Sequence, residues 1–228
     1  MSFCHWVIFV LSKNQIQEQV SKARAEDYGK RNFRQSFELV LKLKDIDVKK
    51  LDLNINEVVF LPNKFSEDAK ICVFASGDNA LRAQKAGADR VIEGGELDRL
   101  ASEKRNAKKL AREYQFFLAD TALMPKIGKI LGQFLGPKGR MPAPVPPAAP
   151  IEAMLTRYRN AVRIRARGSL SVAGKIGDEA LDDGKVAENA LAVVNQVEKK
   201  LPNGEKNIHT LLVKKTMAKT TKTKMVEG

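Results

Sequence analysis

Two different strand patterns divide this chain of 228 residues. Near its ends, apolar side chains alternate with polar ones. Phe37, Leu39, Leu41 and Leu43 share one face of Ser36–Lys44, and Ala161–Arg167 repeats the alternation. A period of two gives a strand one buried and one wet face, the signature of an antiparallel sheet. The middle reads otherwise. From Val58 onward, purely apolar runs stand at 58–61, 71–75 and 116–119, among Ala- and charge-rich helical stretches at 79–86, 96–113 and 124–135. Solid apolar strands between helices predict a parallel sheet covered on both faces.

The outer segments carry the remaining elements. A helix is expected over 12–28, with Ser12 as N-cap, Ile16, Val20 and Ala23 at helical spacing, and Gly29 as its end. Others follow at 151–159 and 183–200, the second with Val186, Ala190, Val193, Val194 and Val197 on one face. Arg167-Gly168-Ser169 reads as a hairpin turn, and a last strand at 208–216 leads to a basic tail expected to order only on binding. The proline-rich run 142–150 predicts a stiff connector outside any regular element. The expected architecture is an α+β discontinuous domain, residues 1–61 and 156–228, with an antiparallel sheet and helices of the split βαβ type. Residues 62–155 form an inserted α/β doubly wound, Rossmann-like domain. The apolar start, 3–11, is too short for a bilayer, which needs about 20 residues, and lacks a signal-peptide n-region. It reads as a short packed element or a frayed extension.

Forty Lys and Arg against 27 Asp and Glu leave a net charge of +13. That surplus favours a polyanion, nucleic acid or an acidic membrane surface, over a merely solvated basic surface. No basic amphipathic helix is evident to support the membrane reading. The charge is uneven: residues 1–61 carry net +2, 62–155 net +4 and 156–228 net +7. Arg163, Arg165 and Arg167 share one strand face, where a phosphate partner or acidic neighbours such as Glu38 would relieve their repulsion. Lys214, Lys215, Lys219, Lys222 and Lys224 follow among threonines. Cys4 and Cys72 form no disulfide framework, which predicts a reducing compartment, and Cys72 reads as a buried thiol. No Cys/His cluster has metal-ligand spacing, so neither metal nor cofactor is expected.

An enzyme acting on a nucleotide or phosphorylated substrate is the alternative, and it would use the inserted domain. The segment Lys126–Pro142 is glycine-rich, but Gly132 and Gly136 are one residue too close for a P-loop, and Gly139 stands where a hydroxyl residue must reach magnesium. Ser76-Gly77-Asp78 follows an apolar strand, the place where α/β folds bind ligands, but a lone turn of this kind is a weak signal and helix capping is the favoured reading. Asp182 and Asp183 read as first-turn helix charges.

The same glycine-rich segment carries a resemblance. Met124-Pro125-x-Ile127-Gly128-Lys129-x-Leu131-Gly132-x-x-Leu135-Gly136-Pro137-Lys138-Gly139-x-Met141-Pro142 resembles the defining motif of the L-one family of large-subunit ribosomal proteins. Pro146-Pro147 and Arg157-Tyr158 suit its archaeal and eukaryotic branch, and the likeness runs from about residue 12 to 218. It implies a non-enzymatic, two-domain, cytoplasmic ribosome component, monomeric when free, with a first domain built from both chain ends. The partners it implies are large-subunit rRNA at the mobile stalk near the tRNA exit site, the deacylated tRNA leaving there, and the protein's own mRNA, whose translation it would repress.

The resemblance also implies a site. Asn32-Phe33-x-x-Ser36-x-Glu38 matches the start of the family's first strand, Lys175-Ile176-Gly177 the end of its hairpin, and Thr216-Met217 the Thr-Met-Gly after its last strand, with Ala218 in the glycine's place. Ser36 and Thr216 would hydrogen-bond a ribose 2′-OH, Phe33 and Met217 would touch a sugar or base, and Glu38 would accept from a 2′-OH or orient an arginine. For Phe33, burial beside the strand is the competing reading. With the basic strand residues, the expected RNA-binding set is Phe33, Ser36, Glu38, Arg163, Arg165, Arg167, Gly168, Lys175, Lys214, Thr216 and Met217. The glycine segment itself reads as fold-determining, with Lys138 and Arg140 as minor RNA contacts.

Overall fold

The computed structural model describes residues 13–25, 32–46, 54–146 and 150–224. In chain order they form α1 (Lys13–Ala25), β1 (Ser36–Leu43), β2 (Asn54–Phe60), β3 (Ile71–Phe74), α2 (Asp78–Lys85), β4 (Arg90–Ile92), α3 (Gly94–Ser102), α4 (Lys104–Glu113), β5 (Phe116–Asp120), α5 (Met124–Leu135), β6 (Ala143–Val145), α6 (Ile151–Arg159), β7 (Ala161–Arg167), β8 (Ser171–Asp178), α7 (Asp183–Glu198), β9 (Ile208–Lys215) and β10 (Thr221–Lys224). They divide into two compact units, Met1–Ser66 with Val162–Gly228, and Glu67–Ala161. Helix α6 belongs whole to the second unit, whereas the boundary expected after residue 155 cuts through it.

The discontinuous unit is built on a six-stranded sheet in the order β10-β9-β1-β8-β7-β2. Its β10–β9, β9–β1, β1–β8 and β8–β7 pairings are antiparallel. Phe37, Leu39, Leu41 and Leu43 are buried, as their alternation requires, against Ile16, Val20 and Ala23 of α1 and the valine face of α7. Burying each such side chain contributes about 1.5–3 kcal/mol. Close packing on that face depends on Gly177, where a Cβ would lie 2.8 Å from Val186 Cγ2. Arg24 ties the helix layer together. Its Nε donates to Asp183 Oδ1 at 2.6 Å, and Nη1 and Nη2 donate to the carbonyls of Glu179 and Leu181 at 3.0 and 2.6 Å.

Several elements differ from the sequence reading. The run 58–61 is not a parallel strand of the inserted unit; it completes β2 at the edge of the antiparallel sheet. Ile55, Val59 and Leu61 point inward while Phe60 is exposed, so outward-facing apolar residues disguised an alternating strand. The tail is not a loose extension through residue 224, because Thr221–Lys224 pairs with Val213–Thr210. Thr221 anchors it, its hydroxyl within 2.9 Å of the Val213 carbonyl and 3.3 Å of the Gln19 carbonyl. Ser12, Gly29, Cys4 and the apolar start 3–11 lie outside the described residues, as do 147–149 of the proline run.

The inserted unit holds a parallel sheet in the order β4-β3-β5-β6. β3 and β5 are buried along their whole length. Cys72, Phe74, Phe117 and Ala119 face Leu97, Leu110, Ile127, Leu131 and Leu135 of α3, α4 and α5. On the other face Phe116 meets Tyr158 of α6 edge-on, ring centroids 5.5 Å apart. Burial pushes the Cys72 thiol up, well above the ordinary cysteine range. The helical stretch at 96–113 is two helices, broken at Glu103 (φ −106, ψ 76). The proline run contributes β6, with Pro144 beside Ala119 on the sheet's edge, where a strand tolerates a missing N–H. The fold is thus mixed, one unit built on antiparallel pairings with helices on one face and the other on a parallel sheet between helices.

Candidate nucleic-acid interface

The start of β1 and the end of β9 are neighbours in the sheet, which brings chain positions 180 residues apart into contact. Thr216 closes this corner: its N–H donates to the Ser36 carbonyl at 3.0 Å, and its hydroxyl both accepts from the Ser36 N–H and donates to the same carbonyl, each at 3.2 Å. Among the described residues the Ser36 hydroxyl has no partner. Ala218 continues the turn with its N–H on the Lys215 carbonyl and without positive φ, so alanine fits there unstrained.

Beside this corner, Phe33 is 52% exposed and Met217 53%. The core reading of Phe33 therefore fails. Phe33 lines a shallow depression with Asn32, Arg34, Glu179 and Ala180. Next to Arg34 stands a residue absent from the sequence reading, Gln35, which is 4% exposed. The Gln35 N–H donates to Glu179 Oε2 at 3.0 Å, and its side-chain oxygen accepts the Met217 N–H at 3.2 Å. Polar and set among polar residues, Gln35 gives no periodic signal, and only the folded sheet reveals what it joins.

On the sheet face turned away from the helices, Glu38 stands between Lys175 of β8 and Lys214 of β9. Lys214 Nζ lies 3.5 Å from Glu38 Oε2, so the carboxylate counters a lysine and not the arginines of β7. Lys175 Nζ sits 4.7 Å from the Phe65 ring centroid. Arg163 and Arg165 are half-buried on this same face, and Arg165 pairs with Ala173. The side chain of Arg167 lies outside the described residues. Lys215 belongs elsewhere: on the opposite strand face and 2% exposed, it donates to the Arg24 carbonyl at 3.1 Å.

The expected set therefore splits. Phe33, Ser36, Glu38, Lys175, Lys214, Thr216 and Met217 gather at one end of the sheet, with Arg163 and Arg165 on the adjoining strand. Gly168 (φ +65) turns the β7–β8 hairpin at the other end, where the Leu170 carbonyl accepts from Leu43 N–H. The intervening length of β1 is roughly 20 Å.

Residues 21–219 match the model of the ribosomal protein L1p/L10e family. The chain belongs to that family. Large ribosomal subunit protein uL1 of Cenarchaeum symbiosum (strain A) is 49% identical over 208 residues, covering 91% of this chain and 95% of that protein. Its counterpart in Methanocella arvoryzae is 42% identical over 207 residues, with 91% and 97% covered, and that of Thermofilum pendens is 41% identical over 214, with 93% and 94% covered. These are archaeal sequences, within the archaeal and eukaryotic branch that the proline and Arg-Tyr features suit.

Members of the L1p/L10e family are structural ribosomal proteins and not enzymes, which sets the nucleotide-enzyme reading aside. The inserted unit agrees in its details. At the carboxyl ends of β3 and β5, Asp120 accepts from the Ser76 N–H and the Asn79 amide, each at 3.2 Å, so a carboxylate already occupies those donors. Asp78 pairs with Arg82 at 2.7 Å and caps nothing. The family's glycine segment serves the fold: Arg140 donates to the Ala111 and Tyr114 carbonyls, and Lys138 to that of Ala111. Asp182 caps α7 through the Gly184 N–H, and Asp183 pairs with Arg24, so both aspartates are accounted for. Among the described residues no group of His, Cys, Asp and Glu could hold a metal ion, and no helix is long and apolar enough to cross a membrane.

Proposed function

We propose that this chain binds large-subunit ribosomal RNA at the corner where β1 begins and β9 ends. The observation that carries the reading is the Thr216–Ser36 tie, which sets a partnerless Ser36 hydroxyl beside two exposed apolar side chains and the Lys175–Glu38–Lys214 row. A hydroxyl both donates and accepts, so Ser36 suits a ribose 2′-OH, and the second lone pair of the Thr216 oxygen suits another. Phe33 and Met217 offer a ring and a polarizable thioether to a base or sugar. Glu38, held by Lys214, accepts from a further 2′-OH, while Lys175, Lys214, Arg163 and Arg165 meet phosphates.

In this reading the unit of Met1–Ser66 with Val162–Gly228 is the RNA-binding domain, of split βαβ type, and Glu67–Ala161 forms a doubly wound, Rossmann-like insertion, which the strand order β4-β3-β5-β6 supports. The RNA is that of the large subunit at the mobile stalk, beside the exit site for deacylated tRNA, whose release the chain assists. The same corner binds a similar structure in the chain's own mRNA and represses its translation. The protein works on cytoplasmic ribosomes and is a monomer when free.

The test uses the full chain. A Ser36→Ala, Met217→Ala double variant should keep its fold and lose at least tenfold in affinity for large-subunit rRNA fragments. Unchanged affinity would remove this corner from the interface.

A further inference from the structure

Helix α4 carries Lys104, Arg105, Lys108, Lys109 and Arg112, all exposed. At 100° per residue these cations fall within an arc of about 140°, and Ala107, Leu110 and Ala111 occupy the opposite side. Those three are at most 2% exposed and belong to the core of the inserted unit. The sequence reading found no basic amphipathic helix, because 96–113 taken as one element mixes this stripe with Glu96, Asp98 and Glu103. The break at Glu103 separates them.

One acidic residue, Glu113, lines the same depression as Arg105, Lys108, Lys109 and Arg112, so a surplus of positive charge remains there. None of the five cations has an ion-pair partner among the described residues. Lys104–Lys108, Arg105–Lys109 and Lys108–Arg112 are like-charge pairs at i,i+4, each of which destabilises a helix. Lys138 adds a sixth cation at the end of α4, donating to the Ala111 carbonyl at 3.0 Å. Burial, and then the charges of Arg140, Arg112 and Lys108, hold its ammonium below the usual lysine range. A helix that keeps repelling charges on its open side is better explained by an anionic partner than by stability.

We propose that the α4 stripe is a second RNA-binding surface, on the inserted unit, gripping phosphates without reading sequence. Phosphate contacts position an RNA but carry no base information, and a row of lysines and arginines without aromatic side chains fits that role. A lipid surface is the weaker fit. A helix lying in a membrane buries its own apolar face there, and the apolar face of α4 is already spent on Leu110 and its neighbours in the core. The proposal extends the RNA-binding reading above but stands on a different unit and different residues, so each can fail alone.

The decisive variant is Lys108→Gln, Lys109→Gln, Arg112→Gln in the full chain. Polyuridylate serves as the sequence-neutral probe, and large-subunit rRNA fragments as the specific one. The variant should bind polyuridylate at least tenfold more weakly at 0.1 M salt, with the log–log salt slope smaller by about two to three. Preference for rRNA fragments over polyuridylate should survive or rise, whereas the Ser36→Ala, Met217→Ala variant should lose that preference. The melting temperature should hold or increase, since like-charge pairs are removed; a purely structural role for these cations predicts a lower one. Wild-type polyuridylate affinity and salt slope in the triple variant would overturn the proposal. So would binding of the wild type to phosphatidylserine vesicles, or to polyglutamate, as tight as to polyuridylate and lost in the same variant.

Discussion

The Thr216 hydroxyl lies 3.2 Å from both the backbone nitrogen and the carbonyl oxygen of Ser36, accepting from one and donating to the other. Thr216 therefore has a structural duty as well as a candidate binding role. Thr216→Ala should lower stability by about 1–2 kcal/mol, since two backbone groups lose a partner, and should weaken rRNA binding as the corner loosens. Thr216→Ser keeps the hydroxyl and should restore most of both. Ser36→Ala removes a hydroxyl that holds nothing in the fold, so its stability should stay within about 0.5 kcal/mol while rRNA affinity falls. Urea unfolding beside filter binding separates these effects.

Arg24 is the counterpart of that corner in the helix layer. Its guanidinium reaches Asp183 and two carbonyls, and it lies 5.0 Å from the centroid of the Phe37 ring. Arg24→Ala should destabilise the discontinuous unit by about 2–3 kcal/mol, because hydrogen bonds to charged groups contribute more than neutral ones. Arg24→Lys should recover less than half, since an ammonium cannot reproduce the planar fork. Denaturant midpoints of the three proteins decide it.

Strong periodicity made much of this fold legible. The alternation of Phe37, Leu39, Leu41 and Leu43, the valine face of α7 and the bounds of α5 are readable because one side of each element faces a core. The misses share a cause. β4 and β6 are three residues each, too short to show a period, and Pro144 argued against a strand that its edge position allows. In the candidate site, Ser36, Glu38, Thr216 and Met217 were found by motif and not by pattern. Gln35 and Glu179 escaped both, since a polar residue's role depends on partners that sequence separation hides. Gly168 was grouped with them through its basic strand, but antiparallel pairing carries that turn to the far end.

Asp178 fastens the point where the chain leaves the discontinuous unit. Its carboxylate accepts the Ser66 N–H at 2.8 Å and the Ala180 N–H at 3.2 Å. Burial works against the charge, yet these bonds and the nearby Lys175 hold the carboxyl below its ordinary range. A folded pKa below the unfolded value of about 3.9 means the stabilisation is complete above roughly pH 5 and lost as pH falls through the folded pKa. Asp178→Asn should cost about 1–2 kcal/mol at pH 7, and the gap from wild type should narrow between pH 5 and pH 2. A constant gap across that range would show that the charge is not what Ser66 needs.

The two ends of the sheet should separate binding from folding. Lys175 and Lys214 flank Glu38 at the Ser36 end, so replacing both with glutamine should reduce the salt slope of rRNA binding by about two. Fold stability should change little, because a half-exposed pair such as Lys214–Glu38 contributes at most about 1 kcal/mol. Gly168→Ala should do the reverse. Its φ of +65 is unfavourable for alanine by about 1–2 kcal/mol, and the turn lies a strand's length from the corner. Stability should drop while rRNA affinity and salt slope stay at wild-type values. A Gly168→Ala protein that folds fully yet binds rRNA tenfold more weakly would extend the interface along the whole outer face, with Arg165 as the bridge between its ends.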